Sequence, residues 1–375
     1  MKLQAFFRKW HEYCPIFTIV MALLTPLVVL CHVLAIFIEP FANFINRYPA
    51  RALRFLLAKL SGILPFSLAE IVILLLIPAT VVAIIFAFRL CKKEDPKPSR
   101  YYLSYLIGFL LLLYSGFVFT LGTSYFTTTL DKELALDKKA VSAKELYATA
   151  EQVLTEMDGV IDKITFDENG MSVMPYSFDE LNDKLNEAYQ KVTEDYPFIA
   201  SLSSNVKGIL LSEALTYTHL SGIYTYFTGE ANVNTNFPPS VLAFTMAHEM
   251  AHQRGIARED EANFVAFLVC MASDDSFIRY SGYYEMFKFL VNALYSADTE
   301  LFKAAYALAD ERLVKEIYAF NDFYDKYQDN AAADIAGSIN DAYQQMQGVE
   351  AGIKSYGLVV DLAVAYYQKY QGFTE

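Results

Sequence analysis

Two of the five histidines in this 375-residue chain stand four residues apart, with a glutamate directly after the first: His248-Glu249-Met250-Ala251-His252. On a helix that interval leaves the two imidazoles only about 40° apart in azimuth, one turn above the other. Imidazoles so placed suit a single Zn²⁺, which binds histidine nitrogen at roughly 2.0–2.1 Å. Glu249 then reaches a water polarised by the cation and serves as its general base. These residue types at this spacing predict metal-assisted hydrolysis of a peptide bond, with Zn²⁺ as cofactor and a peptide or protein as substrate.

A third ligand is expected from the acids just downstream. Arg258-Glu259-Asp260-Glu261-Ala262-Asn263 opens a new helix. On it Glu259 shares a face with Ala262, Asn263, Ala266 and Cys270, small residues suited to close packing on the histidine helix. Glu261 shares a face with Phe264, Val265 and Leu268. Glu259 is the preferred ligand and Glu261 the second choice; the plain alternative is that these acids complement a helix N-terminus. Arg254 and Arg258 either pair with these acids or are solvated. Peptide hydrolysis also needs a donor for the oxyanion, commonly Tyr, His or Arg, and Tyr356 and Arg279 are the candidates.

The elements that position the motif follow from pattern. Val241–Ala247 is apolar, as a metal-bearing helix through a core must be, and Gly255 is placed to end it with a left-handed residue. Upstream, Leu215, Tyr217 and His219 alternate with threonines. Ser221-Gly222 then breaks the run before Ile223–Phe227, which predicts an antiparallel hairpin. A turn at Thr228-Gly229 leads to Ala231–Asn234, read as an edge strand. Glu230, Asn232 and Asn234 there either receive a substrate strand or only protect the edge. His219 is expected within the strand. Ser142-x-x-Glu145 and Ser177-x-x-Glu180 are capping boxes, and Asn169-Gly170 is a turn. From Asp260 on, the chain is expected to be mainly helical, with breaks near Gly282, Gly348 and Gly357.

The first third of the chain has a different solvent. The composition is 54% hydrophobic and only 19% charged, below the quarter usual for a soluble domain. Three apolar runs, about 15–38, 69–90 and 101–126, are long enough to span roughly 30 Å of hydrocarbon. His32 in the first is placed for an interhelical hydrogen bond. Lys2, Arg8 and Lys9 precede the first span, and Lys92, Lys93, Lys97 and Arg100 lie between the second and third. The bias of basic residues puts the N-terminus in the cytoplasm and everything after the third span outside. Arg47, Arg51, Arg54 and Lys59 fall in the first external loop, read with Phe55–Leu57 as an amphipathic helix holding its basic residues at headgroup level. The N-terminal apolar run is too long for a cleaved signal peptide.

Charge divides along the same boundary. Through Tyr125 there are twelve basic and five acidic residues; after it, eighteen and thirty-eight. A surface so acidic repels phosphate, which excludes nucleic acid as a partner. Cys270 is the sole cysteine of the acidic region, so no disulfide framework holds it. The division is therefore 1–130 as a membrane region and 131–375 as an extracytoplasmic domain. The fold class is three membrane helices plus an α+β, mainly helical domain with a small antiparallel sheet.

The run Ala247–Phe264 resembles the signature of a bacterial membrane family catalogued as domain of unknown function 3810. Phe227–Asn234, Arg279–Gly282, and Lys354–Gly357 with Val360–Leu362 resemble its further blocks, so the likeness covers nearly the full chain. Glu259–Asn263 is also similar to the ExxAD helix of glutamate-type zinc peptidases, with asparagine in place of aspartate and a much shorter interval from the histidines. The resemblance implies a zincin-like domain with His248, His252 and Glu259 on the metal. The expected function is that of a multi-pass cell-membrane metallopeptidase acting on peptides, membrane-proximal ones included. The alternative is a membrane receptor or regulator that keeps the zinc site without turnover. The sequence sets no oligomeric state.

Overall fold

A computed structural model of the chain describes residues 14–328, 330–346 and 358–371. Among them three helices, Ile16–Phe37, Leu68–Cys91 and Lys97–Phe126, are long and apolar enough to cross a membrane. The first, α1 (Ile16–Phe37), is followed by α2 (Glu39–Ile45). A π-helical turn at Asn46–Ala50 leads on into α3 (Arg51–Ser61). Pro49 lies within that turn; its missing N–H opens the i→i−4 ladder there. Then come α4 (Leu68–Cys91), capped by the Ser67 hydroxyl, and α5 (Lys97–Thr120), which ends in a 3₁₀ turn at Gly122–Phe126. The third span thus starts earlier as an α-helix than its hydropathy predicts, with Pro98 in its first turn, where proline is tolerated, and it gives way to 3₁₀ geometry before Phe126.

In the apolar region polar side chains pair the helices. Thr18 Oγ1 donates to the Ser104 carbonyl at 2.8 Å, and the Thr25 and Ser115 hydroxyls lie 2.9 Å apart. Such groups between membrane helices have no water to turn to. His32 makes no hydrogen bond through Nδ1; its ring meets Phe126 edge-on instead, so the interhelical bond expected of it is absent among the described residues.

The remaining elements are α6 (Leu130–Glu133), α7 (Ala143–Ile161), α8 (Phe178–Asp195), β1 (Lys207–Gly208), α9 (Ser212–Thr216), β2 (Gly222–Thr225) and β3 (Glu230–Val233). They are followed by α10 (Pro239–Gln253), α11 (Glu259–Ala272), α12 (Ser276–Ala297), α13 (Thr299–Leu308), α14 (Glu311–Asp325), α15 (Ala331–Met346) and α16 (Val359–Gln371). Ser142 and Glu145 form the expected capping box on α7, and Ser177 accepts from the Glu180 amide on α8. The Asn169-Gly170 turn closes a short bridge between Phe166 and Ser172.

The sheet corrects the sequence reading. Its order is β1-β3-β2, with β1 parallel and β2 antiparallel to β3, so it is mixed and β3 is its middle strand. Ser212–Thr216 is helical and His219 has φ 61°. The alternation at Leu215–His219 follows a helical turn and a left-handed residue, not a strand. Ser212, Thr216 and Thr218 each bond a carbonyl three or four residues back, and this local bonding competes with a ladder.

At the centre lies α10, every residue from Ser240 to Gln253 buried, packed on α11, α12 and the β2–β3 hairpin. No break occurs at Gly282, which sits inside α12 facing Cys270 of α11 where the two helices cross closely. Gly348 and Gly357 lie outside the described residues.

Candidate metal centre

α10 ends as its sequence requires. The Gly255 amide returns to the His252 carbonyl at 2.9 Å and the Ile256 amide to the Ala251 carbonyl at 3.2 Å, with Gly255 at φ 94°. This double closure turns the chain back and brings α11 alongside α10. It also delivers the Ile256 carbonyl to His252 Nδ1, at 2.7 Å. With Nδ1–H donated there, the lone pair of a neutral His252 points from Nε2 toward its neighbours.

There it meets two more donors. His248 Nε2 lies 3.0 Å from His252 Nε2, and Glu259 Oε2 lies 3.2 and 3.4 Å from the two nitrogens. The three ligand atoms are all within 4.8 Å of one another. The imidazole planes stand at 89° with centroids 4.6 Å apart, so both rings aim at one point rather than stack. Burial alone would raise Glu259, but the two imidazoles hold its carboxyl well below the usual carboxylate range. Burial would lower His252; the Glu259 carboxylate, with Glu249 and the Ile256 carbonyl, outweighs that and pushes it up to about 9. Two imidazole nitrogens and an ionised carboxylate facing one another repel unless positive charge sits among them. Their N, N, O set is one that Zn²⁺ takes, and Glu259 Oε2 is a buried oxygen that faces the two ring nitrogens. These residues fit a divalent cation.

Glu261, the second choice, is engaged elsewhere. It pairs with Arg258 at 2.8 Å and accepts the Leu130 amide at 2.8 Å. Two residues along a helix turn its side chain by about 200° from Glu259. Arg258 also donates to the Tyr125, Thr127 and Thr128 carbonyls. Arg254 pairs with no acid among the described residues and is shielded from solvent. It is buried over the Tyr189 ring at 3.7 Å and donates to Ser204 and to the Met250 and Leu202 carbonyls.

Glu249 sits against β2. Burial pushes it up to about 6, against the pull of the two histidines. A methyl at Gly222 would stand 2.5 Å from its Oε1 and 2.8 Å from its Cγ, so only glycine leaves the carboxyl where it is. Gly222→Ala should therefore displace a movable side chain, with little loss of fold stability. Any turnover should fall by about 10²-fold, the penalty of roughly 1 Å of misplacement, with metal content unchanged. Rate and metal content measured on the same preparation check this.

His248 and Glu249 share a cavity of about 480 Å³ with Gly222, His219, Phe244 and Asn263, and with Glu285, Lys288, Phe289, Phe320 and Tyr324. Asn263 Nδ2 is buried there without a partner among the described residues. Lys288 pairs with Glu285 at 2.9 Å and lies 3.9 Å over the Phe320 ring. The sequence reading missed this pair; the signal was a Glu and Lys three apart on a helix otherwise rich in Tyr and Phe. His219, expected in a strand, bonds the Tyr327 carbonyl through Nε2 and packs on Tyr324.

Of the two oxyanion candidates, Tyr356 lies outside the described residues. Arg279 does not line the cavity: it donates to Tyr283, because its position on α12 is about 120° around from Glu285. Glu230, Asn232 and Asn234 are not open to a substrate either. Glu230 accepts the Leu68 and Ala69 amides, Asn232 pairs with Ser67, and Asn234 bonds Thr216 and the Leu220 carbonyl. On a middle strand Glu230 and Asn232 tie the sheet to the start of α4, and Asn234, just past it, ties it to α9.

A family described as "Protein of unknown function (DUF3810)" matches residues 46–364. The chain belongs to this family. The match takes in α3, two of the three apolar helices, and His248, Glu249, His252 and Glu259. Neither a curated protein nor a solved structure matches.

Proposed function

We propose that this family member is a membrane-anchored zinc metallopeptidase, with its N-terminus in the cytoplasm and its site outside. One observation carries the reading: three ligand atoms of His248, His252 and Glu259 converge within 4.8 Å, with Glu249 beside them at the wall of a cavity. When bound, the cation would act as a Lewis acid on a water and on the scissile carbonyl.

The rest falls to the protein's own groups. Glu249, held by Gly222 and the Tyr224 amide, takes a proton from the attacking water and hands it to the leaving amine. The Ile256 carbonyl orients His252, and Tyr189 anchors α10 by donating to the Ala247 carbonyl at 2.6 Å. β2 offers its outer edge. The Asn234 amide bonds the Ser221 carbonyl, so alternation along the pair turns the peptide groups of Gly222 and Tyr224 away from β3; the Tyr224 amide goes to Glu249, which leaves Gly222 to meet a substrate. An extended peptide lying there would pass directly beside Glu249, with apolar side chains received among Phe244, Phe289 and Phe320.

The placement outside rests on the basic residues before α1 and between α4 and α5. It accords with α3 packing against the site-bearing part, since loops on either side of two consecutive spans share one face of the membrane.

Metal analysis of the full-length protein in detergent tests the reading. Wild type should carry one equivalent of zinc, and His252→Ala and Glu259→Ala should each lose it. Zinc absent from the wild type after zinc supplementation removes the enzymatic reading.

A further inference from the structure

The segment after α3 and the segment around β1 run side by side. Asn205 Nδ2 donates to the Gly62 carbonyl at 2.8 Å, and Lys207 donates to the Leu64 carbonyl. The Leu210 and Leu211 amides donate to the two oxygens of Glu70 at 2.9 and 2.8 Å. Leu210 is 76% exposed and Leu211 49%, and in the adjoining segment Ile63 is 78% exposed. Three large aliphatic side chains are thus exposed on two segments bonded to each other, one of which is also bonded to the first turn of α4.

We propose that Leu210, Leu211 and Ile63 enter the lipid bilayer, giving the site-bearing part a membrane contact of its own besides the three spanning helices. Continuity names the occupant. The most apolar stretch of α4 has none of its residues buried by protein, so lipid must cover it, and the loop hangs on the turn where that stretch begins. Backbone amides close to hydrocarbon are costly when unpaired. Glu70 satisfies two of them, and its charge is thereby spent on the loop. The polar backbone is closed inward while the leucines face out, an arrangement that suits a shallow insertion of about 5–10 Å. From this loop the chain passes through α9 to Thr218–Gly222, one wall of the cavity, so the insertion would hold that wall at the lipid–water boundary whatever the site does.

The test uses the full chain in nanodiscs of phosphatidylcholine, plain or brominated high on the acyl chains. Trp10 is the single tryptophan, so Trp10→Phe supplies a dark background. The indole of Leu210→Trp should lose about half its emission to brominated lipid, as a side chain at that shallow depth would, and resist aqueous acrylamide. Tyr318→Trp, at a position 63% exposed on α14, should show the reverse. Leu211→Trp reads the same boundary from a second position. Acrylamide quenching at both leucine positions equal to that at Tyr318→Trp, with no effect of bromine, overturns the proposal.

Discussion

Glu249→Gln is expected to lower peptide hydrolysis by about 10²–10⁴-fold, the usual contribution of a positioned general base, while the protein keeps its zinc and its melting temperature. Glutamine preserves the shape that Gly222 accommodates but cannot accept the proton. Because Glu249 is not one of the three converging ligands, metal content separates loss of the base from loss of the site. Release of soluble fluorescence from fluorescein-labelled casein, with zinc measured on the same sample, checks the prediction. The same variant tells a peptidase from a receptor that keeps the site without turnover. A cellular output that survives Glu249→Gln but not His252→Ala belongs to the latter.

The second large effect is expected at Arg54→Ala. Arg54 has no exposure, and burial draws its guanidinium down to about 10, which still leaves it charged at neutral pH. Its partners are neutral oxygens: the Thr120 carbonyl at 2.7 Å, and the Asn46 carbonyl and Oδ1 at 3.0 and 2.7 Å. Asn46 Nδ2 in turn donates to the Gly255 carbonyl at 3.1 Å, and any Cβ at Gly255 would run into the guanidinium. Arg54 is thus the plug between α3, the end of α5 and the turn that closes α10. Removing it strands buried acceptors and opens a void, together costing roughly 2–4 kcal/mol. At about 2–4 °C per kcal/mol for a unit of this size, the melting temperature should fall by roughly 5–15 °C. That turn also supplies the Ile256 carbonyl to His252, so zinc affinity should weaken by about 10–100-fold, as when a ligand's supporting partner is lost. Lys59→Ala, at an exposed position of the same helix, should leave both unchanged. Thermal unfolding and competition with a chromophoric chelator measure the two effects. An Arg54→Ala protein with unchanged melting and affinity would mean that α3 only rests at the membrane surface.

That contrast marks where sequence reasoning stops. Arg54 reads as a headgroup-level cation because its neighbours in sequence are basic and amphipathic; its distant partners are the carbonyls of Thr120 and Arg254, far along the chain. The same distance hid the role of Glu230. It looks like an edge-strand acid, but it caps α4 with two backbone amides, a favourable place for a carboxylate, and β1 covers the strand edge from more than twenty residues upstream.

What the sequence by itself determined are properties that depend on a few neighbouring residues. Hydropathy over twenty positions marks the three apolar helices, the four-residue interval puts His248 and His252 on one face, Gly255 closes α10, and Ser142 and Ser177 begin α7 and α8. Helical period and capping are short-range physics, and tertiary packing did not override them. Tertiary structure alone engaged Glu261 with Arg258 and the Leu130 amide, swung Arg279 away from the cavity, placed Glu285 and Lys288 on its wall and made β3 a middle strand. Each of those outcomes depends on the angle and depth at which one element docks on another, and that angle is set by side-chain packing summed over the whole core rather than by any local pattern.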